Sequence, residues 1–198
     1  MPQIGDKSLQ EAAENRVYGI LRRHSRRSDG QGRVTKRFFH AISCKGEIKL
    51  GGEIEKLCKL IYQLDDSMGL AGPALEAAAR EALARGLDVI VCPSPLCPEE
   101  PEGVLIPQAS LALLRGCWDV EGARHIRLDA LVPAQRQKEL RNSLRTGRRL
   151  EKECMAAAQA KLSQAKALHD ALEAVYRPYM DFSALTNFTA EEIRRIFS

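Results

Sequence analysis

One stretch of the chain, residues 57–93, limits the fold more than any other. It begins with an apolar run at 57–64 that has the length and side-chain types of a β-strand. A loop with two glycines and two aspartates follows at 65–72, and an alanine-rich segment at 74–85 is opened by a proline and closed by a glycine, as helices often are. A second apolar run at 87–92 predicts another strand. Strand, loop, helix and parallel strand form a βαβ unit.

The loop of this unit lies where nucleotide-binding folds place phosphates, but it lacks the groups that bind them. A Walker A loop needs glycine amides, a lysine for the β- and γ-phosphates and a hydroxyl for magnesium, in the pattern G-x-x-x-x-G-K-[ST]. The best alignment puts Asp66 at the first glycine and Ala71 at the second, with Gly72 at the lysine and Pro73 at the hydroxyl. The motif is therefore degenerate, and no catalytic residue is predicted.

Backbone amides at a helix N-terminus can still bind an anion when the side chains are missing. Such a vestigial nucleotide site would consist of Gly69, Leu70, Ala71, Gly72, Pro73 and Ala74. The alternative is a strand–helix turn kept only for folding. Asp65 and Asp66 favour this alternative because their charges repel phosphate.

The ends of the predicted strands carry residues that could suggest two further chemistries. Adjacent aspartates do not form the Asp-x-Asp pair of haloacid-dehalogenase-like phosphatases, since neighbouring side chains of an extended chain point to opposite sides. Zinc sites favour closely spaced cysteine pairs. The residues of this chain that come nearest to a zinc-ligand set are Cys92, Cys97, Cys117 and His125. Buried or loop thiols are the simpler interpretation, so no metal is expected. His169 is interpreted as a surface or interface histidine.

Charge is concentrated near the N-terminus. Residues 1–37 contain nine Lys or Arg residues against four acids, whereas the rest of the chain has 21 basic and 22 acidic residues. We interpret residues 1–36 as a basic helix and linker, with a capping box at Ser8 and Glu11 that starts a helix over 8–24. This basic N-terminal arm could bind a polyanion or nucleic acid. No aromatic residues lie between the arginines, however, which argues against nucleic acid.

The six cysteines predict reduced thiols in the cytoplasm, because the chain has neither a signal-peptide pattern nor an apolar run long enough for a membrane. Further strands are expected at 38–42, 104–106, 110–114 and 125–128, and Gly51-Gly52 is interpreted as a turn. These runs place an α/β core at 37–132.

A helical segment is predicted for 133–198 and is expected to pack on this core. Its helix begins at Pro133, is interrupted at Thr146-Gly147 and continues over 148–176 with an apolar stripe of about 3.5-residue spacing. The stripe predicts a surface for a protein partner or for self-association, with the central residues Leu162, Leu168 and Leu172.

Several of these segments resemble a family of uncharacterised bacterial P-loop ATPase-like proteins that are built as two tandem nucleotide-binding halves. The similarity covers about 37–185, one half, and is carried by Arg37–Ala41, Ala84–Val89, Gly103–Pro107, Ala165–Asp170 and Met180–Phe182. It implies a three-layer P-loop NTPase-like α/β fold with a mostly parallel sheet and a long C-terminal helix, and it implies ATP and magnesium if the loop still binds.

The chain departs from the family at the reaction centre. The family also carries an Asp-Gly-Thr sequence after the strand that corresponds to 110–114. This chain has Arg115-Gly116-Cys117 there, a cation where magnesium would need a carboxylate. We therefore expect a non-catalytic or weakly nucleotide-binding domain that acts through protein–protein contact, without a cofactor. A functional ATPase with an atypical loop and a polyanion binder that uses the basic arm remain the alternatives.

Overall fold

The computed structural model describes residues 6–197 as an α/β protein. A six-stranded sheet and a separate two-stranded hairpin hold the strands, which are β1 (Val34–Lys36), β2 (His40–Ser43), β3 (Gly46–Lys49), β4 (Leu60–Asp65), β5 (Val89–Pro93), β6 (Pro101–Ile106), β7 (Leu111–Arg115) and β8 (Arg124–Arg127). The order in the large sheet is β1-β5-β6-β7-β4-β8, and β2 pairs with β3.

The large sheet is mostly parallel, as the sequence predicted. β1 pairs with β5, β4 with β7 and β4 with β8 in parallel, whereas both neighbours of β6 run antiparallel to it. Only β6 is therefore reversed, which follows from its short connection to β7 through a 3₁₀ turn at Pro107–Ala109. The strands of the predicted βαβ unit, β4 and β5, point the same way but are separated by β6 and β7.

Helices cover both faces of the sheet. They are α1 (Lys7–His24), α2 (Gly51–Leu57), α3 (Ala71–Ala84), α4 (Ala134–Tyr176) and α5 (Phe182–Phe197). Alternate strand residues enter two separate apolar clusters. One cluster joins β6 and β7 to α1, α3 and the first turns of α4, and the other joins the opposite face of these strands to α2 and Trp118. This alternation is the period-2 pattern of a sheet buried on both sides.

The predicted start of the first strong strand is wrong, because helix α2 occupies the residues before it. Leu57 ends this helix and Cys58 caps it, so the strand begins at Leu60 and not at Leu57. The pair Gly51-Gly52 opens the helix rather than forming a turn. A Cβ atom on Gly51 would lie 2.4 Å from the Asp119 carbonyl oxygen, so this glycine is explained by a close backbone approach.

Two details of the other helices also differ from expectation. Helix α1 is capped by Asp6, whose carboxylate accepts a hydrogen bond of 3.0 Å from the Ser8 amide, and not by a box at Ser8 and Glu11. Helix α4 runs through Thr146-Gly147 without a break. A single glycine costs only about 1 kcal/mol in a helix interior, and the strong helix formers on both sides outweigh this cost.

Candidate functional site: the β4–α3 loop and the cleft beside it

The loop between β4 and α3 is closed by one of its own side chains. The Asp66 carboxylate accepts hydrogen bonds from the backbone amides of Met68 at 3.0 Å, Leu70 at 3.0 Å and Ala71 at 2.8 Å. Amides converging on one point in this way make an anion site at a helix N-terminus. Here the anion is Asp66 itself, and it occupies the place that a phosphate would need.

A second carboxylate fixes the start of the same loop. The Ser67 amide and hydroxyl donate to the two carboxylate oxygens of Asp129 at 2.9 and 2.6 Å. Asp129 belongs to the 3₁₀ turn Leu128–Leu131 that follows β8. Gly69, at the tip of the loop, has φ +81°, a left-handed conformation that glycine adopts without strain. The loop is therefore held by two internal acids and one glycine.

The remaining residues of the predicted vestigial site serve the core. Leu70, Ala71 and Ala74 are fully buried and Gly72 is buried as well. Pro73 lies within the first turn of α3, and the Arg115 guanidinium makes a 2.8 Å ion pair with Glu100. A nucleotide could reach these amides only if the Asp66 carboxylate moved away.

A cleft that the sequence analysis did not identify opens beside this loop. It has a volume of about 690 Å³ and lies between residues 67–68 and one face of α4. Four of its nine lining residues are cations, which we call the cationic row: Lys138, Arg141, Arg145 and Arg148. No acidic side chain is among the lining residues. The helical spacing of these four cations is visible in the sequence, but only the fold shows that they face the β4–α3 loop.

The basic cluster near the N-terminus lies at a different edge of the sheet. Arg22 lies 4.0 Å from Glu81, and the Ser28 amide donates to the Arg85 carbonyl oxygen at 2.8 Å. These contacts place the end of α1 at the C-terminal end of α3, whereas the cleft lies at its N-terminal end. Helix α1 also buries Val17 and Leu21 in the core. Residues 1–36, so far as they are described, thus contribute a helix and an edge strand to the fold.

The predicted partner surface is exposed in this single chain. Leu162, Leu168 and Leu172 are 41%, 74% and 60% exposed, so the fold does not bury them intramolecularly. Of the helical segment, Leu144 is buried and Leu140 packs against the core. Farther along α4, the helix touches the β2–β3 hairpin, where the Ser163 hydroxyl donates to the Cys44 carbonyl oxygen at 2.9 Å and the Gln159 side chain lies beside Gly46. The segment therefore leaves the core after its first turns and continues as an arm.

The arm carries most of the exposed large apolar side chains of residues 6–197. Fourteen of the twenty lie between positions 150 and 197: Leu150, Leu162, Leu168, Leu172, Val175, Tyr176, Tyr179, Met180, Phe182, Leu185, Phe188, Ile193, Ile196 and Phe197. A soluble single domain rarely exposes so many apolar groups in one region. We call this set the apolar face of the arm.

Two cysteine side chains are buried, and burial disfavours their reactive thiolate form. Burial raises the pKa of the Cys58 thiol to about 11 and that of the Cys92 thiol to about 12. Cys97 is half-buried and Cys117 is exposed. Within residues 6–197 the group with metal-ligating geometry is His169, Asp170 and Glu173 on α4, so it includes none of these thiols. His169 and Asp170 are exposed and Glu173 is half-buried, and exposed acidic groups commonly occur without an ion.

A buried histidine that no sequence motif indicated joins the hairpin to the sheet. His40 Nδ1 lies 2.8 Å from Glu102 on β6, and its Nε2 lies 2.9 Å from Glu47 on β3 without the geometry of a directed hydrogen bond. The ring packs edge-on against Trp118 at 6.2 Å between centroids. These contacts explain the site as a structural connection between β2, β3 and β6.

Comparison with known proteins adds no family to this description. The chain matches no protein-family model, no curated protein and no solved structure. Among residues 6–197, no helix combines the length and the apolar character that crossing a lipid bilayer requires.

Proposed function

We propose that this protein is a non-catalytic relative of P-loop ATPases that acts through protein–protein contact made by its C-terminal arm. The observation that carries the proposal is the apolar face of the arm, whose side chains are 41–87% exposed within the described chain. Burying a large apolar side chain contributes about 1.5–3 kcal/mol, so even a few of these residues would drive association.

The occupant that we propose for this face is a second copy of the same chain. The apolar stripe of α4 continues on both sides of Leu162, with Leu150 before it and Leu172 and Val175 after it. Two arms that pair antiparallel about a two-fold axis near Leu162 would therefore place the first half of each stripe against the second half of the partner's stripe. Such an interface is self-complementary, as a two-fold dimer requires.

The loop supports the non-catalytic part of the proposal. A phosphate that entered it would have to displace the Asp66 carboxylate from three amides and would meet no lysine. ATP and magnesium are therefore not proposed as cofactors. An ATPase with an atypical loop stays as the alternative, and a magnesium-dependent thermal shift with ATP would support it. Six free thiols suit a reducing compartment such as the cytoplasm.

Sedimentation equilibrium over a range of concentrations tests the self-association. We expect the wild-type chain to form a dimer and the double variant Leu168→Glu/Leu172→Glu to be a monomer, because carboxylates cannot be buried against an apolar face. The matched control is Ala167→Glu/Ala174→Glu, which adds the same charge about 100–120° around the helix from Leu168 and should remain dimeric. A monomeric wild type at all concentrations would remove self-association and leave the face to a different partner.

A further inference from the structure

The cationic row has a geometry suited to an extended ligand. Its members are three, four and three residues apart, and at 100° per residue they lie within about 80° of one another around the helix axis. Ten residues of helix between Lys138 and Arg148 rise about 15 Å. A single phosphate or carboxylate would contact only part of such a row, whereas a chain of anionic groups could contact all of it.

The charges of the row are not neutralised by the protein. Within residues 6–197 no ion pair forms at any of the four cations, although Arg136 on the same helix pairs with Glu139 at 3.1 Å. Asp66 and Asp129, the two acids that hold the opposite wall of the cleft, both accept hydrogen bonds from the β4–α3 loop. The cleft therefore holds four side chains that are free to contact an anion.

The lining also shows which kind of anion is favoured. Arginine guanidinium groups bind phosphate oxygens in a bidentate manner, and three of the four cations are arginines. No aromatic side chain lines the cleft, and proteins that hold single-stranded nucleic acid usually stack its bases on aromatic rings. The cleft thus offers contacts to phosphates and no platform for bases.

We propose that the cleft binds a linear chain of three or more linked phosphates, either as inorganic polyphosphate or as the tail of a nucleotide. The cationic row supplies the contacts, and the β4–α3 loop forms the opposite wall. This site is separate from the vestigial loop amides, which Asp66 occupies. It does not depend on the apolar face of the C-terminal arm. Binding requires no magnesium, since the protein already supplies the positive charge.

Isothermal titration with sodium tripolyphosphate at low ionic strength tests the site. We expect binding by the wild-type chain that weakens with added salt, and a loss of about tenfold or more in Arg141→Gln/Arg145→Gln, which corresponds to about 1.4 kcal/mol. Both residues are exposed, so the variant should fold. The control Arg136→Gln/Lys161→Gln removes the same charge from the other side of α4 and should bind within about twofold of wild type.

Parallel titrations distinguish the sources of the ligand. Magnesium-free ATP that binds as tightly as tripolyphosphate supports the nucleotide tail, and much weaker ATP binding supports inorganic polyphosphate. Absence of tripolyphosphate binding, or an equal loss in both double variants, would overturn the site. A single-stranded RNA of matched charge that bound more tightly than polyphosphate, with the same dependence on Arg141 and Arg145, would overturn the ligand class in favour of nucleic acid.

Discussion

The carboxylate of Asp66 lies 2.8 Å from the amide nitrogen of Ala71, and through this contact the loop supplies its own anion. The same side chain also accepts from Met68 and Leu70, so one aspartate satisfies three amides that a phosphate would otherwise bind. Asp66 therefore both stabilises the turn and occupies the amides that the sequence analysis assigned to a vestigial nucleotide site.

We predict that Asp66→Ala lowers the free energy of unfolding by about 1–3 kcal/mol, because a part-buried set of amides loses its acceptor. At about 2–4 °C per kcal/mol for a chain of this size, thermal unfolding followed by circular dichroism would show the change. Asp65→Ala is the matched control. Within residues 6–197, the Asp65 carboxylate pairs with the exposed His125 at 3.0 Å, and exposed pairs contribute about 0–1 kcal/mol. Equal effects of both variants would show that Asp66 has no special role.

Two leucines on α4 should respond very differently to truncation. Leu144 is 8% exposed and belongs to the core cluster, whereas Leu168 is 74% exposed. We predict that Leu144→Ala costs about 2–5 kcal/mol in urea unfolding at any protein concentration. Leu168→Ala should leave the unfolding of a dilute monomer nearly unchanged and weaken the dimer instead. A large loss in the monomer from Leu168→Ala would mean that the arm folds back onto the core.

Thiol reactivity should separate the buried from the exposed cysteines. Burial keeps Cys58 and Cys92 protonated at neutral pH, since their pKa values are raised to about 11 and about 12, and the thiolate is the reactive form. We expect iodoacetamide at pH 7.5 to label Cys117 and Cys154, which are exposed, before the other two. Peptide mass spectrometry measures the order, and rapid labelling of Cys92 in the native protein would contradict the buried site.

The same thiols predict a direction for stability at high pH. Their pKa values in the folded state are above the ordinary value of 9.0. The unfolded chain therefore loses these protons first as the pH rises. Stability from the two protonated thiols is fully present below pH 9.0 and decreases between there and about pH 12.

The regular parts of the fold could be predicted from local patterns. The apolar runs at 104–106 and 110–114 became β6 and β7, and the proline between them became the turn. Local pattern failed at α2, because two glycines resemble a turn unless the close approach of the Asp119 backbone is known. It also failed at Gly147, because the helix formers in the flanking turns outweigh the cost of one glycine and the helix continues.

The candidate sites were harder to predict because they depend on contacts distant in sequence. Ser67 and Asp129 are 62 residues apart, and nothing in either segment indicates that they meet. Asp66 was interpreted as a charge that repels phosphate, but its contacts with the amides of its own loop depend on the backbone conformation. The spacing of the cationic row is visible in the sequence, whereas the wall opposite it is not.

The most direct test of the claim that this is a non-catalytic domain measures what magnesium adds to ATP. A ligand at 100 times its dissociation constant stabilises a protein by about 2.7 kcal/mol, or roughly 5–11 °C at this size. We predict that magnesium added to millimolar ATP raises the melting temperature by less than about 1 °C over ATP alone, with no hydrolysis above background. A magnesium-dependent rise of several degrees that a bulky substitution at Gly69 removed would contradict the account and restore the ATPase.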